Sequence, residues 1–184
     1  MRIKTALPII LSLVTVIVLG SIIARHEQHL RQSNDLYIKL TPADPRSLIQ
    51  GDYMALGYDL YWHTGTMELI EYGNIHQDKY HNKSSVEVWV LTDEQNRLVK
   101  SAFTKAEFSP AEQARLQPLI LKNPHNYIAS LYPAADSYLF AEGLAECYAQ
   151  ATYAHQKVDK NGKPMLLDLV NDELRPLNCE HKQS

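Results

Sequence analysis

The chain has 184 residues, a formal net charge of −3 and 21% charged side chains. That length suits one domain with a real core. The acidic balance and the lack of any Lys/Arg run exclude the broad cationic footprint of a nucleic-acid binder.

Ala6 to Ala24 is a run of 19 residues without a formal charge. At about 1.5 Å per residue it would extend roughly 28 Å, close to the hydrocarbon thickness of a bilayer. Pro8 falls in the first turn, where a helix does not need its N–H. One membrane-spanning helix is therefore predicted, with residues 6–24 in contact with lipid. Arg2, Lys4 and the terminal amine precede it, and Arg25 and Glu27 follow, which favours a cytoplasmic N-terminus and an exported remainder. A signal peptide cleaved near Ala24 is the competing reading, and the length of the apolar run favours an uncleaved signal anchor.

Residues 25–184 carry 16 basic side chains, the 18 of the chain less Arg2 and Lys4, against 21 acidic ones, a formal charge of −5. Residues 25–34 are polar and helix-compatible, and read as a solvated extension of the membrane helix or a short juxtamembrane stalk. Leu36, Ile38 and Leu40 then alternate with polar neighbours as in a half-buried strand. Pro42 and Pro45 break it, Asp44 followed by Pro45 predicts an N-cap opening one helical turn through Ser47 to Gln50, and Gly51 ends that turn. From Tyr53 to Trp62 the two-residue period returns, with Met54, Leu56, Tyr58, Leu60 and Trp62 on one face.

Residues 63–85 read as a long loop. Val86 to Thr92 and Arg97 to Phe103 form a hairpin around Asp93 to Asn96. Ser109-Pro-Ala-Glu112 has capping-box spacing for a helix that stops before Pro118. Leu119 to Leu121 and Ser137 to Phe140 are short strand candidates. Glu142 to Thr152 shows a helical period, with Leu144, Cys147, Tyr148 and Ala151 on one face. Tyr153 to Asp159 and Pro164 to Val170 flank Asn161-Gly162, a strong hairpin signal. The predicted class is α+β: a mostly antiparallel β domain with one or two short helices, preceded by a single N-terminal transmembrane helix. The predicted divisions are residues 1–24 (anchor), 25–34 (stalk) and 35–184 (exported domain).

Gly51-Asp-Tyr-Met-Ala-Leu-Gly-Tyr58 matches in full the pattern that names the GDYXXLXY proteins, a bacterial family of membrane-anchored proteins. Asp44-Pro-Arg-Ser-Leu48, Tyr138-Leu-Phe-Ala-Glu-Gly143 with Tyr148, Ala151 and Tyr153, and Leu174-Arg-Pro-Leu177 also resemble that family, in the expected order. The resemblance implies a bacterial, membrane-anchored protein, and together with the apolar run and its flanking charges the expectation is a single-pass protein of the inner membrane with a periplasmic C-terminal domain. It implies no catalytic residue and no cofactor. Such proteins resemble accessory partners of multi-span membrane proteins, which suggests another membrane protein as the partner class.

Cys147 and Cys179 both lie in the part placed outside the cytoplasm, so an even pair in an oxidising compartment predicts a disulfide. Closing a loop of about 33 residues would contribute roughly 3.5 kcal/mol in the chain-entropy account. Two separate thiols are the competing reading. The residues singled out for binding are Asp44, Arg46, Asp52, Tyr53, Tyr58, Glu142 and Tyr153. Asp52 serves either as an acceptor of backbone N–H bonds at its corner or, with Asp44 and Arg46, as part of a pocket. Glu142 in an apolar stretch invites an ion pair with Arg46, forming either a ligand site or a structural pair. Tyr53, Tyr58, Tyr61 and Trp62, with Tyr37, supply either core packing or an interaction surface.

The histidines at 26, 29, 63, 76, 81 and 125, and the Cys179-Glu-His181 tail, are too loosely spaced for a zinc site, so no metal is expected. Ser47 lacks a lysine partner and no Gly-x-Ser-x-Gly turn is present, so the balance is against a hydrolase. Two functional classes remain from the sequence: a membrane-tethered accessory or interaction module, and a periplasmic ligand-binding or hydrolytic domain using Asp52, Arg46 and Glu142.

Overall fold

The computed structural model describes residues 3–41, 53–63, 70–71, 74–75 and 83–179. The helical turn expected at Ser47 to Gln50, the acids Asp44 and Asp52, and most of the 63–85 segment lie outside the described residues. The chain divides into two compact units, residues 1–33 and 34–184.

The first unit is one helix, α1 (Ile3–Gln32). It runs through the polar stretch after Ala24 because nothing there breaks a helix, and Glu27 pairs with Arg31 one turn on at 2.9 Å. The large apolar side chains from Ile10 to Ile23 are 50–68% exposed. The hydroxyls of Thr15 and Ser21 donate to the carbonyls of Leu11 and Ile17 one turn back, which satisfies them without water. From Ile10 to Gln32 the helix is long and apolar enough to cross a membrane.

The second unit is α+β and mostly antiparallel. β1 (Asn34–Thr41), β3 (Gly57–Tyr58), β10 (Tyr153–Val158) and β11 (Pro164–Val170) form a sheet in the order β11-β10-β1-β3. β6 (Ser85–Thr92), β7 (Leu98–Ala102) and β8 (Gln117–Lys122) form a second, in the order β7-β6-β8. β2 (Tyr53–Ala55) pairs with β9 (Ser137–Leu139), and β4 (Ile70–Glu71) with β5 (Asn74–Ile75). The two larger sheets pack on one core: Leu36, Ile38 and Val158 from the first meet Val88, Val90 and Leu119 from the second. Alternation along each strand buries every second side chain and so produces this inner face. A smaller cluster of Met54, Leu56, Ala154 and Leu169 extends it under the signature segment.

Three turns share one construction. In Asp93–Arg97, Asp159–Lys163 and Asn171–Arg175 the first side chain accepts N–H bonds from residues two and four further on. The fourth residue of each, Asn96, Gly162 or Leu174, is left-handed at φ 61°, 80° and 61°. This is a type I turn closed by a residue of positive φ. The hairpin expected around Asn161-Gly162 is present, and its turn is the longer form rather than the two-residue one, because Asp159 captures the chain first.

Two local expectations change. The continuous strand read from Tyr53 to Trp62 is divided: β2 bonds to β9, β3 to β1, and Trp62 bridges Ser101 of β7. Met54, Leu56 and Leu60 are nevertheless buried, as the alternation requires. Period two reports which side chains face inward, and it is silent on which strand lies alongside. The helix read over Glu142 to Thr152 shrinks to one turn, α3 (Ala145–Tyr148). The backbone of Thr152 joins the sheet instead, donating to Val170 and accepting from Leu40. The Ser109 capping box forms as spelled, with Ser109 N–H donating to Glu112 at 2.7 Å and opening the one-turn α2 (Pro110–Gln113).

Candidate functional site

Within the described part of the signature, Tyr53 to Tyr58, the residues Met54 to Gly57 line a cleft of about 390 Å³. Its floor is apolar, from Leu40, Met54 and Leu56, and its rim carries Thr41, Tyr148 and Thr152. Gly57 faces Thr41 across the β1–β3 pair, and a side chain at 57 would collide with the Thr41 hydroxyl. Tyr58 lies between the two core clusters, and its hydroxyl donates to the Ala135 carbonyl at 2.6 Å. Burial first, and the Asp136 carboxylate second, raise its pKa well above the ordinary tyrosine value. Tyr58 therefore ties the signature strand to the chain leading into β9.

One wall of the cleft is held covalently. Cys147 in α3 is bonded to Cys179, 32 residues on. The neighbouring Tyr148 packs on Tyr138 and Phe140 with ring centroids 5.2 and 5.1 Å away. Tyr138 in turn donates to Asp168 at 3.2 Å, and burial together with that carboxylate raises its pKa.

Of the residues singled out from sequence, Asp44, Arg46 and Asp52 lie outside the described residues. Tyr53 is 42% exposed on β2, directly opposite Leu139, which is 77% exposed. Glu142 is solvent-exposed between β9 and α3, beside Gly143 at φ 82°. The apolar surroundings expected from its neighbours in sequence are therefore absent, because the chain turns outward there. Tyr153 opens β10 and is hydrogen-bonded to Arg97.

Sequence reasoning missed a polar network on the outer face of the first sheet. Asp35 on β1 accepts from Lys157 at 3.0 Å and lies 2.7 Å from the His155 ring nitrogen, both on β10. The His155 ring stacks on Tyr37 at 4.6 Å. The only sequence signal was the outward half of two alternating strands, and their pairing across 120 residues left no local trace. Among the described residues no group of three or more His, Cys, Asp or Glu side chains is placed to hold a metal ion.

A lone apolar helix followed by a disulfide-bonded antiparallel β domain defines a class: β domains carried on a candidate membrane-anchor helix. Within it, the model of the GDYXXLXY protein family matches residues 15–169, and the chain belongs to that family. No curated protein and no solved structure matches the chain.

Proposed function

We propose that this protein is a single-span module of the bacterial inner membrane whose β domain faces the periplasm and serves as an accessory partner of a multi-span membrane protein. The observation that carries this reading is the uncovered apolar surface of α1 from Ile10 to Ile23, which lipid would bury. Arg2 and Lys4 on one side favour the cytoplasmic N-terminus, and the Cys147–Cys179 bond suits an oxidising compartment. Tethering confines the domain near the membrane and raises its effective concentration for other membrane proteins. The exposed Tyr53–Leu139 pair offers apolar contact surface for such a partner.

A reporter fused behind Ser184 tests the orientation, with periplasmic activity expected and cytosolic activity fatal to it. Crosslinking the full-length protein in membranes and identifying the captured chain tests the partner class. The competing reading, a ligand-binding or hydrolytic domain, draws support from the cleft beside the signature. Its apolar floor suits an apolar small molecule better than a hydrolytic centre. A bound small molecule with no crosslinked membrane protein would favour that reading.

A further inference from the structure

Away from the signature cleft, the end of the second sheet holds a basic depression of about 560 Å³, between the chain entering β6 and the loop leaving β8. Lys83, Lys122 and His125 line it with Asn123, Asn126 and Tyr132, and among the described residues none of its lining side chains is acidic. This composition runs against that of residues 25–184, where acidic side chains outnumber basic ones 21 to 16, the latter being the chain's 18 less Arg2 and Lys4. Among the described residues neither lysine forms an ion pair, whereas Arg97, Lys100 and Lys157 each hold a carboxylate. Glu87 lies further along β6 and borders a neighbouring depression that Lys83 also reaches, without pairing with it.

The depression is built rather than frayed. Asn123 is 95% buried, at 5% exposure. Its backbone N–H donates to Ser84 at 2.9 Å, and its side-chain amide donates to the Lys83 carbonyl at 3.0 Å and to Asn126 at 3.3 Å. Asn126 is fixed at φ 55° in the same loop. Lys122 and Tyr132 exchange both backbone hydrogen bonds, and the Lys122 ammonium lies 5.5 Å from the Tyr132 ring centre. The two lysines are thus carried on chain segments locked to each other through Asn123. The remaining side-chain oxygen of Asn123 is buried and has no donor.

We infer that this depression binds a phosphate group on a hydroxyl-bearing carrier, with Lys83 and Lys122 holding the anion. Ammonium groups act as point charges and accept a phosphate from several directions, whereas a planar carboxylate is best held by an arginine fork, and among the described residues no arginine lines this site. Tyr132 offers a ring face and a hydroxyl to the carrier of that phosphate. A soluble sugar phosphate and the headgroup of an anionic glycerophospholipid share this chemistry.

The test uses the full-length protein in phosphatidylcholine nanodiscs, with hydrogen exchange of residues 122–126 as the readout. Protection by glucose 6-phosphate, weakened by salt and reduced about tenfold in affinity in Lys83→Gln/Lys122→Gln, supports a soluble ligand. Protection that instead requires phosphatidylglycerol in the disc, and is lost in the same double variant, supports the headgroup. Lys122→Arg keeps the charge and is expected to retain most of the binding, which separates loss of charge from loss of fold. Equal protection by glucose alone, no protection by either phosphate, or an unchanged response in the double variant would overturn the inference.

Discussion

Asp35 and His155 stand 120 residues apart in the chain and meet across adjacent strands, with 2.7 Å between the carboxylate and the imidazole nitrogen. Lys157 reaches the same carboxylate at 3.0 Å. One acid on β1 thus holds two basic side chains of β10 and fixes the register of the central strand pair.

That arrangement makes stability depend on acid in a defined direction. Burial raises the pKa of Asp35, but hydrogen bonds from His155 and Lys157 outweigh it and hold the carboxyl below its ordinary 3.8. A carboxyl depressed by folding stabilises fully above its unfolded pKa, and that contribution is lost as pH falls through the lower folded value. Asp35→Asn is expected to cost about 1 kcal/mol or less at neutral pH, since the pair is partly solvated. Urea titrations at successive pH values should show the wild-type advantage held above the ordinary carboxyl value of 3.8 and lost as pH falls below it; an advantage independent of pH would contradict the assignment.

Tyr58 and Tyr138 carry the opposite signature. Burial raises both hydroxyls above the ordinary tyrosine pKa of 10.0. The unfolded chain therefore releases these protons first, and stability falls as pH rises past about 10. Tyr58→Phe removes the donor to Ala135 and is expected to cost about 1 to 2 kcal/mol near neutrality. The same variant should lose less stability than wild type between about pH 9 and 11. Thermal melts across that range measure both effects.

Gly162 is required twice over. Its φ of 80° is left-handed, and a side chain there would approach the Pro118 carbonyl carbon and oxygen to 3.0 Å. The Gly162 carbonyl also accepts from Ile120, joining the β10–β11 turn to β8. Gly162→Ala is expected to destabilise by about 1 to 3 kcal/mol, from backbone strain and forced separation together. Asn96→Ala at the matching position of the β6–β7 turn should cost only about 1 kcal/mol, because it carries the first of those penalties alone. Equal losses in chemical denaturation would show that the close approach to Pro118 is unimportant.

Removing the Cys147–Cys179 bond frees a loop spanning a separation of 32 residues. The double Ser variant is expected to lose roughly 3.5 kcal/mol on the chain-entropy account. Because α3 forms one wall of the signature cleft, hydrogen exchange should rise first around Tyr148 to Thr152. Uniform acceleration across the whole domain would instead place the effect in global stability.

Much of the domain was legible in the chain alone. An uncharged run followed by alternating apolar residues sets one helix and the inward faces of β1, β6, β8 and β10, because burial period is a local property of the backbone. Capping at Ser109 and the turn at Asp93 to Asn96 were legible for the same reason: their donors and acceptors lie within five residues of one another. What only the tertiary structure decided were the partnerships. The division of Tyr53 to Trp62 among three neighbours, the anchoring of Tyr58 on Ala135, the Asp35–His155–Lys157 network and the basic depression at Asn123 all join residues distant in sequence. Such contacts depend on which sheet edges come together, and that is selected by the packing energy of the whole core rather than by any local pattern.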